Sequence, residues 1–184
     1  YGLGALNNAM VIDIGAGTTD FCIMHGTMPT EEDQRTLNAG GDSIDQQLFR
    51  LLAEKYPHTR FRENLVRQFK EQYGFVGPVN GRVKVRVPVE GRFTEHDITD
   101  EVKAPWERIL PSIVETTVDL VSRYDPEFQE QVAKNIYLAG GGSQIKGVAE
   151  ELESALREYG NYRVSRVDDP LYAGSDGALA LAQD

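Results

Sequence analysis

The 184-residue sequence has one cysteine, Cys22, so no disulfide can form within it. Cys22 stands in an apolar stretch, which predicts a buried thiol in a reducing compartment. No apolar run approaches the roughly 20 residues needed to cross a bilayer, and no charged-then-apolar leader opens at Tyr1. The histidines His25, His58 and His96 lack zinc-ligand spacing and a partner cysteine, and read as surface or turn residues. Cations are scarce: 19 Lys and Arg against 29 Asp and Glu leave a formal net charge of −10. That balance argues against a broad nucleic-acid-binding surface and leaves room only for a local basic strip. The expectation is a cytoplasmic protein of one domain, or one domain with an insert, whose 40% hydrophobic residues suffice for a core.

Glycine is plentiful, and it is clustered. In Met10-Val11-Ile12-Asp13-Ile14-Gly15-Ala16-Gly17-Thr18-Thr19-Asp20-Phe21 an apolar run reaches a carboxylate, turns through two glycines and two hydroxyl residues, and leads into a second apolar run, Phe21 to Met24. This predicts a strand hairpin whose tip suits an anion. Gly15 and Gly17 let backbone N–H groups approach a ligand, and Thr18 and Thr19 add hydroxyl donors. Asp13, ending an apolar strand, is costly to bury unless a cation or donor meets it, and hydrated magnesium would do so. The plainer alternative is that Asp13 caps its own turn.

A second glycine stretch follows a short strand at Asn135-Ile136-Tyr137-Leu138-Ala139-Gly140-Gly141-Gly142-Ser143-Gln144-Ile145-Lys146-Gly147. The helix predicted after it carries Ile145, Val148, Leu152, Ala155, Leu156 and Tyr159 on one face. A glycine turn there either holds an anion, lets a flat ring lie on bare backbone, or is an ordinary strand-to-helix turn, which hardly needs three glycines.

Taken in order, these motifs resemble the actin superfamily of actins, bacterial actin homologues, heat-shock chaperone ATPases and sugar kinases. Asp13 to Asp20 is similar to its second phosphate motif, and Leu138 to Gly147 to its adenosine motif. Gly40-Gly41-Asp42-Ser43-Ile44-Asp45 and Val66 to Glu71 resemble the stretches with which actins reach ribose and base. The resemblance runs along essentially the whole chain and is strongest to the actin-like filament proteins of magnetotactic bacteria. It implies an α/β, ribonuclease H-like lobe with a small α+β insert: residues 1–57 and 98–184 form the lobe, and 58–97 the insert.

The resemblance also implies functional roles. Gly15, Ala16, Gly17, Thr18 and Thr19 would hold phosphates. Gly40, Lys70, Glu71, Gly140, Gly141, Gly142, Ser143 and Ile145 would hold the nucleoside. Asp13 would be the catalytic carboxylate and would hold Mg2+ through water. ATP or ADP and Mg2+ are the implied cofactors; self-association into filaments and magnetosome-associated proteins are the implied partners. The first phosphate loop and the water-activating linker glutamate of the family match nothing here, so the chain reads as the second lobe. Two alternatives are a binding or assembly module that does not hydrolyse ATP and, more weakly, a sugar-kinase-type phosphotransferase.

The remaining pattern is α/β. Leu3, Ala5 and Leu6 read as the tail of a helix, and Gln34 to Ala39 as a third strand. Asp42 is the expected cap of a helix with Ile44, Leu48, Leu51, Leu52 and Tyr56 inward, a role favoured over metal binding by Asp42 and Asp45. Leu65, Val66, Phe69 and Tyr73 mark a short helix ending at Gly74. Arg82 to Val89 alternates valines with cations, as in a half-exposed strand, and Glu90-Gly91 turns it back. A long helix is expected over 99–124, kinked or broken at Pro111, with Trp106, Ile109, Leu110, Ile113, Thr117, Leu120, Val121 and Tyr124 on one face. A polar stretch leads from Asp125-Pro126 to the strand at Ile136, a strand covers 162–164, and Ala178 to Ala182 lies in a terminal helix.

Overall fold

The computed structural model describes residues 8–24, 29–78 and 81–170. The helix tail near Leu3 to Leu6, His25 and the terminal helix at 178–182 lie outside them.

Five strands form the main sheet: β1 (Ala9–Ile14), β2 (Thr19–Met24), β3 (Gln34–Leu37), β6 (Ile136–Ala139) and β7 (Val164–Arg166), in spatial order β3-β2-β1-β6-β7. β1, β2 and β3 are successive antiparallel neighbours, with Asp13 opposite Asp20. β6 and β7 join β1 in parallel, with Asp13 beside Ala139. This is the ribonuclease H-like order, and it places the carboxyl ends of β1 and β6 side by side. Ligands of open α/β sheets gather beyond such ends.

The helices form because their apolar positions recur at helical spacing. α1 (Gly41–Lys55) buries Ile44, Leu48 and Leu52, and α2 (Glu63–Tyr73) buries Val66 and Phe69 and stops at Gly74. α3 (Thr99–Arg123) buries Trp106, Ile109, Ile113, Thr117, Leu120 and Val121. It runs unbroken through Pro105 and Pro111, because packing along its inward face outweighs the missing N–H bonds. α4 (Gln129–Lys134) falls in the polar stretch between Pro126 and Ile136, to which the sequence pattern assigns no element; Val132 and Ala133 are its buried anchors. α5 (Val148–Leu156) begins later than expected, after a 3-10 turn over Gly141–Gln144 and a left-handed Gly147. Ile145 therefore precedes the helix, and Tyr159, expected on its buried face, follows it and is 56% exposed.

A separate hairpin, β4 (Lys84–Val89) with β5 (Arg92–Asp97), turns at Glu90 and Gly91, both at positive φ. Val85 and Val87 point inward and Lys84 and Arg86 outward, the alternation that the sequence shows. These valines join Leu48, Leu52, Phe61, Val66, Phe69, Phe75, Ile98 and Val102 in a core distinct from the one around the main sheet. The second core thus draws on α1 and α3 as well as on residues 58–97.

Three local expectations are corrected. Asp42 does not cap α1; Gly40 holds that position and Asp42 pairs with Arg67 at 3.4 Å. His96 is not a surface residue: it is buried with its ring 4.3 Å from that of Tyr56, and its Nε2 lies 3.3 Å from the Thr59 hydroxyl. Cys22 is half-buried on the outer face of β2 rather than in the core.

Candidate nucleotide site

The β1–β2 hairpin closes through the Gly15 N–H, which donates to the Thr18 carbonyl at 2.9 Å. The tip is seated on α1: the Gly41 N–H donates to the Gly15 carbonyl at 3.0 Å, and the Asp42 N–H to that of Ala16 at 2.8 Å. Two amides that a helix start leaves without partners are satisfied in this way. Gly40 is required at the seat, since a Cβ there would lie 2.7 Å from the Gly15 oxygen and 2.8 Å from that of Ala16. The N–H groups of Ala16, Gly17 and Thr18 have no acceptor among the described residues, the arrangement that an anion-binding nest needs.

The two threonines differ. Thr19 is fully buried, and its hydroxyl donates to the Ala39 carbonyl at 2.8 Å, fastening the hairpin to the segment before α1. Thr18 is partly exposed and donates to Asp20 at 2.8 Å. Sequence reasoning gave both hydroxyls to phosphate, but in this structure both are engaged within the protein.

The second glycine stretch packs on the end of β1. Gly140 has φ of 77°, and a Cβ on it would run into Oδ1 of Asp13. A Cβ on Gly142 would overlap the Ile14 side chain. Ser143 is buried, with its hydroxyl donating to the Gly140 carbonyl at 2.7 Å, so it shapes the turn from inside.

On the opposite wall, Lys70 is buried. Its ammonium lies 2.9 Å from Asp45 and donates to the Gly41 carbonyl at 3.1 Å. Arg67 pairs with Asp45 at 3.1 Å. Glu71 is exposed.

These parts enclose a cleft of about 540 Å³, within the range of small-ligand sites. Gly15, Ala16, Lys70, Glu71, Gly141, Gly142 and Ile145 line it, together with Gly41, Gln144 and Trp106. Gly17, Thr18, Thr19, Gly40, Gly140, Ser143 and Asp13 do not line it and instead form its framework or margin. Gly41 and Gln144 lie inside the two stretches matched to nucleoside motifs, whereas sequence reasoning assigns Trp106 only to a helix face.

Asp13 is half-buried and makes no hydrogen bond or ion pair among the described residues, so it does not cap its own turn. Burial, and then the charge of Asp20, push its carboxyl above the ordinary carboxylate value. No group of three or more His, Cys, Asp or Glu that could hold a metal ion occurs among the described residues. A divalent cation here would rest on one carboxylate, water and the ligand's own phosphates. Magnesium tolerates such a donor set.

A family model described as MreB/Mbl protein matches residues 4–184. The actin-like protein MamK of Magnetospirillum gryphiswaldense is 40% identical over 184 residues, covering 100% of this chain and 51% of that protein. A structure described as a MamK double helical filament matches with a TM-score of 0.93 at 37% identity, covering 99% of this chain and 57% of that one. A non-polymerising A278D mutant of MamK bound to AMPPNP matches with a TM-score of 0.90 at 38% identity, covering 100% of this chain and 57% of that one. The chain spans about half the length of the relatives it matches.

Proposed function

The chain belongs to the MreB/Mbl family, and on that footing we propose that it is the C-terminal, nucleotide-binding lobe of an actin-like protein that binds and hydrolyses ATP and polymerises into filaments. The observation that carries this reading is convergence. Two glycine stretches more than a hundred residues apart wall one cleft, with unpaired N–H groups at the hairpin tip and an apolar side formed by Ile145 and Trp106. That division suits a ligand with an anionic end and a flat ring.

In this reading the Ala16, Gly17 and Thr18 N–H groups hold the β- and γ-phosphates, Gly15 shapes the turn that presents them, and Thr19 keeps the tip in place. The turn from Gly140 to Ile145 holds the adenosine against α2. Gly40 and Gly41 allow the hairpin to seat close to the sugar. Lys70 contributes its methylene stem, because its ammonium is held by Asp45 and Gly41; Glu71 is placed for a ribose hydroxyl. Asp13 would hold magnesium through its water, or orient the attacking water, and a cation there would favour the ionised carboxylate. The nucleotide supplies the phosphoanhydride whose cleavage changes the preferred angle between lobes, and subunit contacts follow by differential affinity. Residues 58–97 form the small subdomain of the lobe. By likeness to MamK, the filament would be cytoplasmic and would organise magnetosomes together with magnetosome-associated proteins.

The test is assembly. Filaments of the protein in its full encoded length should pellet with ATP and magnesium, release phosphate, and fail at both when Asp13 is changed to Ala. Nucleotide-independent pelleting with no phosphate release would overturn the reading.

A further inference from the structure

Among the described residues, two buried side-chain polar atoms lack a hydrogen-bond partner: Oδ1 of Asp45 and Nε1 of Trp106. The first is compensated, since the Lys70 ammonium stands 2.9 Å from it. The second is not. Trp106 is 2% exposed, and its indole N–H has no hydrogen-bond partner among the described residues. Buried indole N–H groups ordinarily find a partner, so an orphan calls for a reason.

Its position supplies one. Trp106 lines the cleft together with Ile145, Lys70 and Glu71. A Cβ built on Gly74, at the end of α2, would lie 3.1 Å from Nε1 and 3.3 Å from Cδ1 of Ile145, so Nε1 sits under Gly74 and beside that methyl. That Cβ would also run into the Lys70 carbonyl oxygen, so only bare glycine backbone fits between the end of α2 and the indole. The setting is one methyl and glycine backbone whose nearby carbonyl, that of Lys70, already accepts from the Gly74 N–H at 2.8 Å, with the indole N–H left as a donor. That chemistry suits a ring nitrogen or carbonyl of a nucleobase and is wrong for a phosphate, whose donors stand at the hairpin tip.

We infer that the Trp106 indole N–H is a base-reading donor, bonding a ring acceptor of the bound nucleotide once the Ile145 side chain turns aside; this rests on the nucleotide reading above. Trp106 is thus a specificity-determining residue that takes no part in bond cleavage. In the ligand-free protein its N–H is a local cost, and in the complex it is a contact. The two states therefore respond to its removal with opposite signs.

The test uses the protein in its full encoded length, with AMPPNP and, separately, inorganic tripolyphosphate as ligands, both with magnesium. Wild type is compared with Trp106→Phe and with a replacement by benzothienylalanine, which keeps the bicyclic shape and puts sulfur in place of N–H. The expected result is a loss of AMPPNP affinity of roughly five- to tenfold in both variants, with tripolyphosphate affinity unchanged. The ligand-free melting midpoint of the benzothienylalanine protein should equal or exceed that of wild type. The inference is overturned by unchanged AMPPNP affinity, by an equal loss for both ligands, or by a lower ligand-free midpoint in the benzothienylalanine protein. Wild type failing to bind AMPPNP would overturn the nucleotide reading itself, and is told apart because it needs no variant.

Discussion

The Cα of Gly140 rests against the carboxylate of Asp13, so closely that a methyl group on it would overlap Oδ1. The contact follows from the sheet: β1 and β6 run in parallel with Asp13 beside Ala139, and Gly140 is the next residue. The β1–β2 hairpin and the second glycine turn are therefore one wall, and a change in either moves the other.

Gly140→Ala tests this contact. It meets both the clash with Asp13 and a φ of 77°, where an L side chain is strained. It should destabilise the fold by more than about 1 kcal/mol and weaken nucleotide binding on the order of tenfold or more. Chemical denaturation and calorimetry measure the two effects.

Asp13→Asn should separate stability from binding. The folded carboxyl holds its proton more tightly than the ordinary value of 3.8, so folding is favoured at low pH, and this contribution is lost as pH rises through the folded pKa. Without ligand, the Asn variant should melt higher than wild type at pH 7, and the gap should narrow as pH falls through the raised folded pKa and be gone below 3.8. With magnesium and nucleotide the order should reverse.

Thr19→Val removes a fully buried hydroxyl and leaves the Ala39 carbonyl without its donor. The expected cost is about 1–3 kcal/mol. Nucleotide affinity should fall as well, because the hairpin tip loses its fastening; urea denaturation and a binding titration report the two losses.

His96 gives the fold an acid limit. Burial lowers its pKa from 6.5, so the neutral ring stabilises the folded state above 6.5, and that stability is lost as pH falls through the lower, folded value. His96→Phe should flatten the decline of melting midpoint below pH 6.5, with little effect on nucleotide binding.

Much of this was legible in the sequence because it depends on local rules. The β1–β2 hairpin, the valine alternation of β4 and the inward faces of α1 to α3 follow from period and turn residues. The two glycine stretches were visible because backbone crowding admits little else. What stayed hidden depends on distant partners. The start of α1 is satisfied by carbonyls of Gly15 and Ala16, so Asp42 was free to pair with Arg67. His96 is buried by Tyr56 and Thr59, some forty positions upstream. α4 has only six residues, too few to display a helical period. Trp106 looks like any core aromatic until Gly74 and Ile145 are placed around its N–H.

The measurement that bears most directly on the account is a calorimetric titration of AMPPNP with magnesium into wild type and Asp13→Ala. The account predicts one site per chain, with affinity at least about tenfold weaker in the variant. Absence of binding to wild type, or equal affinity in both, would contradict it.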